Sequence, residues 1–507
     1  MKMAMFLGID LGTGSCKAAV LDDEGRVYGA GQGAYPVGEG PRRWNEQRPE
    51  SLLEGMAQAT RQALEAARAS ARQIEAVSVG GAMHSLLALD GSGRPLTGVI
   101  TWADGRGAHQ AGRYRGTPQG FALYQRTGCP AHGMYPLYKL LWLRDEQPGV
   151  FAQAARYVTA KEYVLHALTG EWVIDYSIAA GHGLLDTHAL RWDAEALALA
   201  GLREEQFSPL APPQQLLRLK DTSLVTQAGL LPGTPLALGC SDAVNSSLGA
   251  GAVLSTQATL MVGTSGALRL VARRPILHPQ GKNWCYAIDS THWLVGGAIN
   301  NGGVALEWLR GLFNRAGGAE MSFDEVAALA GEVPAGAGGV ICLPFFAGER
   351  SPNWNLNARG VFFGLSLAHG PAHLARALLE GVAFRFRSLA EMLAEVGCEP
   401  AEIRASGGFI HSPLWLGIMA SALNRQLFLP EWGETSSWGA AAWAMIGMGA
   451  VADLESAGRL VKVNGQVTPD PEQAPVYDRL YALYDRLYED LLPSFEEIAR
   501  FQQSAGG

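Results

Sequence analysis

The chain has 507 residues, of which 48% are hydrophobic and 17% are charged, so it is expected to fold and not to be disordered. This length exceeds the roughly 250–300 residues at which a single core stops growing, so two or more domains are predicted. The net charge of −8, without a block of like charges, argues against a nucleic-acid partner, whose phosphates require a basic face.

The cysteines and the apolar segments predict a cytoplasmic protein. The six cysteines are far apart and form no C-x-x-C motif, which is typical of reduced thiols. Asp10 interrupts the apolar start too early for a signal peptide, and the longest weakly polar run, residues 439–451, is too short to span a bilayer. We therefore expect no membrane partner. The sequence does not determine the oligomeric state, and a homodimer is one assembly that it allows.

The first hundred residues predict strands in hairpins, followed by alternating helices and strands. Residues 49–70 have the apolar spacing of a helix. The predicted strands are residues 5–9, 18–21, 26–30, 74–79, 86–89 and 99–102. This order favours a mixed sheet covered by helices.

A proline-rich segment, residues 208–235, separates this part from a second half that repeats the pattern. Residues 259–262 and 267–272 are predicted strands around the turn Gly263-Thr264-Ser265-Gly266. This turn is similar to the earlier Gly12-Thr13-Gly14-Ser15 turn, and the repetition indicates an internal duplication. Further helices are predicted over residues 371–396 and about 476–501.

The segment DLGTGSCK, residues 10–17, has the residue types that a nucleoside triphosphate and magnesium require. Its glycines let backbone N–H groups approach phosphate oxygens, and the hydroxyl groups of Thr13 and Ser15 can donate. Lys17 supplies a positive charge, and Asp10 can hold magnesium through its water shell. Alone, the same residues would also suit an ordinary hairpin turn.

Three segments resemble the FGGY family of carbohydrate kinases. Residues 10–17 are similar to the first phosphate loop of the actin-like ATPase superfamily, to which these kinases belong. Residues 134–146 resemble the first FGGY signature, and residues 360–381, with Phe363-Gly364-Leu365 and Glu380-Gly381, resemble the second. The resemblance implies an ATP-dependent kinase that acts on a sugar or sugar acid, with ATP and magnesium as cofactors.

The resemblance also implies the fold. We expect an α/β protein of two actin-like ATPase (ribonuclease H-like) domains with a nucleotide cleft between them. The N-terminal domain, residues 1–243, would hold the sugar site, the first phosphate loop and the catalytic aspartate at its end. The C-terminal domain, residues 244–507, would hold the nucleotide site, and its last helix, about 476–501, could pack back on the first domain.

Asp242 is the candidate catalytic base. It lies in a turn of small residues, Gly239-Cys240-Ser241-Asp242, before a predicted helix, where a carboxylate can face a cleft and accept a hydroxyl proton. Spacing alone would equally allow an ordinary helix N-cap. Similarity to the family's catalytic aspartate segment favours the base.

The nucleotide site is expected from the two phosphate loops and from two glycine-containing turns, residues 300–308 and 406–412, that are similar to family segments. Ser412 stands where related kinases carry asparagine. The expected cofactor-binding residues are Thr13, Gly14, Ser15, Lys17, Gly263, Thr264, Gly303, Glu307, Gly407, Gly408 and Ser412, with Asp10 for the metal.

The acceptor site is expected at two strand ends, residues 82–85 and 101–106, which face the sugar in the family. A carboxylate, an imidazole and a guanidinium together suit a polyhydroxylated ligand, although a lone histidine is more often structural. The expected substrate-binding residues are Met83, His84, Trp102, Asp104, Arg106, Asp175 and Asp242.

Within the family, residues 83–85, 100–106, 175–179 and 299–303 are most similar to gluconate kinases, which implies D-gluconate as the acceptor and 6-phosphogluconate as the product. Ala82 and Ala103 differ from the usual xylulose kinase residues, but a xylulose kinase or another ketose or polyol kinase remains the alternative. Arg106 and Lys139 are the candidate cations for the gluconate carboxylate, unless they pair with a protein acid.

Two other functional classes share the phosphate loops. An actin-like or heat-shock-type ATPase would phosphorylate no acceptor, and the FGGY-like segments together with Asp242 disfavour it. A catalytically idle sugar-binding regulator is disfavoured because Asp10, Thr13, Asp242 and Thr264 are all present. Glu349, Arg350 and Arg359 lie in a polar loop and suggest only a structural ion pair.

Overall fold

The computed structural model describes residues 4–39, 44–315 and 320–505. Over these ranges the strands are, in chain order, β1 (Met5–Leu11), β2 (Ser15–Asp22), β3 (Val27–Ala34), β4 (Val37–Glu39), β5 (Asn45–Gln47), β6 (Ile74–Gly81), β7 (Leu87–Leu89), β8 (Val99–Ile100), β9 (Arg156–Val158), β10 (Ile174–Asp175), β11 (Leu185–Asp186), β12 (Arg191–Trp192), β13 (Leu210–Ala211), β14 (Leu216–Arg218), β15 (Pro235–Ala237), β16 (Gln257–Val262), β17 (Gly266–Ala272), β18 (Trp284–Ala287), β19 (Trp293–Ile299), β20 (Ile341–Leu343), β21 (Val361–Phe363), β22 (Glu402–Ser406), β23 (Leu427–Pro430) and β24 (Val463–Val467).

The α-helices of the same ranges are α1 (Pro49–Ala66), α2 (Ala108–Gly112), α3 (Pro118–Thr127), α4 (Pro136–Glu146), α5 (Pro148–Gln153), α6 (Ala160–Thr169), α7 (Tyr176–Ala180), α8 (Ala194–Ala200), α9 (Ser223–Gln227), α10 (Asp242–Gly249), α11 (Gly303–Arg315), α12 (Phe323–Gly331), α13 (Pro371–Glu395), α14 (Pro413–Leu423), α15 (Thr435–Gly447), α16 (Leu454–Arg459) and α17 (Ala474–Ala505). Each of these helices is too short or too polar to cross a membrane.

Two large mixed sheets repeat one topology. In the first sheet, β1, β2 and β3 are antiparallel neighbours, β6 and β15 add in parallel beside β1, and β14 closes the edge antiparallel. In the second sheet, β16, β17 and β19 take the first three places, β22 and β23 the parallel places, and β24 the antiparallel edge. The shared order confirms the predicted internal duplication; β18 extends the second sheet beside β19.

Helix α1 covers one face of the first sheet at very short range. It starts with Pro49, which a first helical turn tolerates because that position needs no N–H donor. Opposite it, β3 carries Gly31 and Gly33, where an added Cβ would lie only 2.2 and 2.0 Å from backbone oxygens of α1. The glycines are therefore required for the close approach of helix and strand.

Helix α15 joins the two halves of the molecule. It lies between β23 and β24 of the second sheet in the chain, yet it packs on β1, β2 and β6 of the first sheet and on α10. Trp443 Nε1 donates to Asn245 Oδ1 at 3.1 Å, and Trp438 Nε1 donates to the carbonyl oxygen of Gly25 at 3.0 Å. Thus α15, rather than the last helix, makes the extensive return contact to the first sheet.

The last helix, α17, packs on elements of the second half. Tyr477 on α17 donates its hydroxyl to the Glu380 carboxylate of α13 at 3.1 Å, and Tyr484 packs its ring on Phe384. The helix also contacts α14 and β20. Helix α17 thus packs against α13, α14 and β20, which all belong to the second half of the chain.

Candidate active site

A cavity of about 230 Å³ lies between the two halves and brings five predicted site residues together. We call it the acceptor cavity. From the first half it is lined by Thr13, Met83, His84, Trp102 and Asp242, and from the second half chiefly by Arg269, Trp284, Tyr286 and Arg350.

Asp242 occupies the first turn of α10 and is not the helix cap. Ser241 is the N-cap, and its hydroxyl accepts from the Val244 N–H at 3.4 Å. Asp242 is therefore available to the cavity. Burial raises the pKa of its carboxyl, whereas the nearby Arg269 guanidinium and backbone N–H groups lower it.

A buried polar network positions the turn that carries Asp242. Lys161 Nζ lies 2.6 Å from Asp175 Oδ2 and donates to the carbonyl oxygen of Gly239 at 2.9 Å. Asp175 also binds the Ser177 hydroxyl, which in turn accepts from the Ser241 N–H at 2.7 Å. Asp175, predicted to bind substrate, is not among the residues that line the acceptor cavity, and both of its oxygens serve this network.

His84 lines the cavity in a strained backbone conformation, with φ of +65°. Its Nδ1 is 2.7 Å from the carbonyl oxygen of Gly181, so Nδ1 carries the proton and Nε2 is an acceptor. Burial lowers the pKa of His84 to about 3, so the ring is neutral at physiological pH. Such a ring can accept a hydrogen bond from a sugar hydroxyl.

Trp102 connects the acceptor strand end to the first phosphate loop. Its Nε1 donates to Thr13 Oγ1 at 2.9 Å, and its ring lies beneath the Arg350 guanidinium, 5.3 Å from ring centroid to Cζ. The arrangement places an aromatic face, which suits the C–H surface of a sugar, beside a phosphate-loop hydroxyl.

Asp104 and Arg106, which were also expected to bind substrate, are not among the residues that line the cavity. Both are buried and pair with each other, with Arg106 Nε 2.8 Å from Asp104 Oδ1. Arg106 also pairs with Glu46 at 2.6 Å and stacks on the Trp44 ring. The guanidinium is thus satisfied by protein acids, which was the alternative that the sequence left open.

Lys139 is likewise committed to the protein. Its side chain is fully buried, and Nζ donates to the carbonyl oxygens of His84 and Thr101 at 2.6 Å each. Neither Arg106 nor Lys139 is therefore free to bind a gluconate carboxylate.

Two arginines that line the cavity, Arg269 and Arg350, were not predicted from the sequence to be site residues. Arg269 received no role at all, and Arg350 only that of a structural ion pair. A charged residue in the otherwise apolar strand β17, Gly266–Ala272, was the available signal for Arg269. No comparable signal distinguishes Arg350 within its polar loop.

A second cavity, of about 380 Å³, lies in the second half, and we call it the nucleotide cavity. Its lining includes six of the predicted nucleotide residues: Gly263, Thr264, Gly303, Glu307, Gly408 and Ser412.

Backbone contacts between the turns shape this cavity. The Gly303 N–H donates to the carbonyl oxygen of Gly263 at 2.7 Å, which fixes the start of α11 against the second phosphate loop. Gly407, next to the lining, has φ of +91°, and an added Cβ would lie 2.3 Å from the Val262 carbonyl oxygen. Glycine is required there by both conformation and space.

Two polar residues of the nucleotide cavity also have protein partners. The Ser412 hydroxyl accepts from the Trp415 N–H at 3.3 Å and caps α14. Glu307 pairs with Arg310 at 2.8 Å but remains half exposed. The Ser412 hydroxyl at the cavity therefore already accepts a hydrogen bond from the first turn of α14.

The other residues of the first phosphate loop stand outside both cavities. Lys17 Nζ pairs with Glu434 at 2.6 Å, and Ser15 Oγ accepts from Gln32 Nε2 at 3.1 Å. Gly14 accepts the Tyr35 N–H through its carbonyl oxygen, and an added Cβ at Gly14 would meet open space. Lys17, Ser15 and Gly14 are thus engaged in contacts within the protein. Of residues 10–17, only Thr13 lines the acceptor cavity.

Asp10 has the environment of a cation ligand. It is the penultimate residue of β1, is 7% exposed, and its Oδ1 has no hydrogen-bond partner among the residues that the structure describes. Burial and the neighbouring Asp242 carboxylate raise the pKa of Asp10 to about 7. An unpartnered buried carboxylate oxygen near a second carboxylate fits magnesium, which takes few protein ligands and keeps several waters.

Comparison with known families agrees with this geometry. The N-terminal domain model of the FGGY family of carbohydrate kinases matches residues 5–249, and the C-terminal domain model matches residues 258–448. The chain belongs to the FGGY family of carbohydrate kinases. It is therefore a kinase with ATP as its phosphoryl donor, which excludes the ATPase without an acceptor.

Relatives of this kinase cover its whole length. It is 33% identical to a gluconokinase of Bacillus licheniformis, over 98% of both chains. Among solved structures, it is similar to gluconate kinase from Lactobacillus acidophilus, with 32% identity, a TM-score of 0.91 and coverage of 98% and 100% of the two chains. A xylulose kinase from the same organism has 31% identity, a TM-score of 0.92 and the same coverage. The predicted two-domain actin-like fold is confirmed.

Proposed function

We propose that this kinase transfers the γ-phosphoryl group of ATP to the 6-hydroxyl of D-gluconate and gives 6-phosphogluconate. One observation supports the reaction in particular: the second phosphate loop contributes to both cavities. Gly263 and Thr264 line the nucleotide cavity, whereas Ser265 and Gly266 line the acceptor cavity that contains Asp242. A nucleotide in one cavity would thus present its phosphates toward the acceptor in the other.

Asp242 is the proposed general base. Its carboxylate accepts the proton of the acceptor hydroxyl, the hydroxyl oxygen forms a bond to the γ-phosphorus, and the bond to the β–γ bridging oxygen breaks, releasing ADP. Burial raises the pKa of Asp242, which makes it a stronger base, and the Arg269 guanidinium opposes this shift. His84 and Trp102, which line the same cavity, would orient the sugar.

Asp10 is the proposed magnesium site. Magnesium, when bound, neutralises charge on the phosphates. The remaining predicted nucleotide residues, Thr13 and the glycines of the turns, keep their proposed roles as phosphate and adenine contacts. Lys17 would have to leave Glu434 to reach a phosphate.

Sequence similarity favours gluconate as the acceptor. The gluconokinase and gluconate kinase relatives match over nearly the full chain. A ketose such as xylulose is the second candidate, because the xylulose kinase structure is equally similar in fold.

The proposal also covers organisation and compartment. We propose a domain division near residues 243 and 244, in line with the separate sheets on either side. We propose a cytoplasmic location, supported by the buried, unpaired state of Cys16, Cys129, Cys240, Cys285, Cys342 and Cys398. The homodimer stays a prediction.

The test is an ADP-release assay with purified protein, ATP and magnesium across gluconate, xylulose, ribulose, fuculose, rhamnulose, glycerol and erythritol at matched concentrations. Gluconate should give the highest kcat/KM. A higher kcat/KM for xylulose or another neutral acceptor would reject the substrate and keep the kinase reaction.

A further inference from the structure

The acceptor cavity contains two buried arginines without an ion pair among the described residues. Arg269 is 4% exposed and Arg350 is 7% exposed, and both line the cavity. In the part of the chain that the structure describes, the Nε donor of each has no hydrogen-bond acceptor. Buried charges in folded proteins are normally paired, so two such guanidinium groups facing one cavity call for an anion.

Arg350 has protein hydrogen bonds but no direct ion pair among the described residues, although the charge of the neighbouring Glu349 stabilises its protonated form. One terminal nitrogen donates to the carbonyl oxygen of Ile299 at 2.7 Å. Its neighbour Glu349 is used elsewhere: Oε1 accepts the backbone N–H groups of Asn300 and Arg350, and Oε2 faces Arg385 Nε at 3.4 Å. The guanidinium itself lies over Trp102, on the acceptor wall.

Arg269 is held more weakly. One terminal nitrogen lies 3.3 Å from Ser246 Oγ and 3.5 Å from Met261 Sδ. Asp242 is the nearby acid that stabilises the charged form of Arg269, but the two do not form an ion pair. The charged side chains that line the described cavity are therefore Asp242, Arg269 and Arg350, a net positive set once Asp242 is ionised.

We infer that Arg269 and Arg350 together bind the carboxylate of a sugar-acid acceptor and select it over neutral sugars. The inference rests on the proposed kinase reaction at this cavity. A sugar acid carries its carboxylate at the end opposite its terminal hydroxyl, so Asp242 can take the hydroxyl while the arginines take the carboxylate. Planar guanidinium groups suit carboxylate oxygens through charge-assisted hydrogen bonds.

The experiment compares D-gluconate with D-gluconamide, which has the same shape and no charge. In the parent enzyme, kcat/KM should favour gluconate. In Arg350→Gln, kcat/KM for gluconate should fall roughly ten- to a hundredfold, since a charged hydrogen bond is lost, while gluconamide should change by less than about threefold. In Arg269→Gln, the loss should be larger for gluconate than for gluconamide, because removal of Arg269 also raises the pKa of Asp242 and so affects both acceptors. Arg269→Lys and Arg350→Lys should restore part of the preference.

A matched control separates selection from stability. Arg376 is as deeply buried, but it pairs with Glu380 at 2.7 Å outside the cavity. In Arg376→Gln, any loss of activity should be equal for the two acceptors. Equal losses in the cavity variants would overturn the inference and point to the ATP phosphates as the anion.

Equilibrium binding distinguishes this inference from the proposed reaction. Calorimetry of gluconate and gluconamide without ATP should show tighter gluconate binding in the parent and no preference in Arg350→Gln. If that holds but no gluconate is phosphorylated, the proposed function fails and the carboxylate site stands. If the parent binds both equally, the inference is wrong whatever the kinase assay gives.

Discussion

The ammonium group of Lys139 lies 2.6 Å from the carbonyl oxygen of His84 and donates a hydrogen bond to it. The same group binds the carbonyl oxygen of Thr101, so one buried side chain on α4 fixes both strand ends of the acceptor site. One of these strand ends has the strained positive φ of His84. Strain of this kind persists only where surrounding contacts enforce it.

Replacement of Lys139 should therefore damage acceptor binding specifically. In Lys139→Met we expect kcat/KM for the acceptor to fall at least roughly tenfold, as two buried hydrogen bonds to the strand ends are lost. The KM for ATP should change little, because the nucleotide cavity is elsewhere. Steady-state kinetics with Lys282→Met as the control, an outer lysine paired with Glu395, would test this. Equal changes in both KM values would contradict a local role.

Lys139 should also make stability depend on pH. Burial lowers the pKa of Lys139 to about 7, below the value of about 10.4 in unfolded chains. Between these values the unfolded state binds more protons, so this lysine makes the free energy of unfolding rise with pH. Urea unfolding of the parent and Lys139→Met from pH 7 to 10 should show a steeper rise in the parent. Parallel curves would contradict the lowered pKa.

Loss of the proposed base should lower turnover without loss of ATP binding. In Asp242→Asn we expect kcat to fall roughly 10²–10⁴-fold, the usual range for general-base removal. The control is Asp193→Asn, since Asp193 also stands at a helix start but caps α8. Nucleotide affinity measured by fluorescence titration should be close to that of the parent. Near-normal turnover in folded Asp242→Asn would reject the assignment.

Asp10 should be needed for metal-dependent turnover. Asp10→Asn keeps the shape of the side chain and removes the charge, so the fold should be retained while the magnesium dependence of kcat is lost. Asp22, at the other end of the same hairpin, accepts from turn N–H groups and from the Tyr28 hydroxyl, and it provides the control variant Asp22→Asn. Magnesium titrations that superimpose for Asp10→Asn and the parent would show that Asp10 is merely a turn residue.

The ion pair between Lys17 and Glu434 should compete with ATP. Glu434→Gln frees Lys17 for a phosphate, so the KM for ATP should fall, but only roughly twofold, because exposed pairs contribute about 0.2–1 kcal/mol. Lys17→Met should raise this KM. An unchanged KM in both variants would assign the pair a purely structural role.

The sequence by itself determined the fold, the family and the positions that approach the nucleotide. Turn residues and apolar spacing act locally, so β1, β2, β16, β17, α1 and α13 were predicted within a few residues of their ends. Motif similarity then located Asp242, Gly263 and Gly408, all of which line the two cavities.

Only the tertiary structure decided how the cations are used. Arg106 and Lys139 stand beside the acceptor motifs in sequence, but burial forces them onto Asp104, Glu46 and backbone carbonyl groups. Arg269 and Arg350, remote in sequence from the first-half acceptor motifs, are brought to the cavity by β17 and by the loop after β20. Whether a charge is neutralised depends on partners that folding supplies from distant parts of the chain, and local pattern does not contain that information.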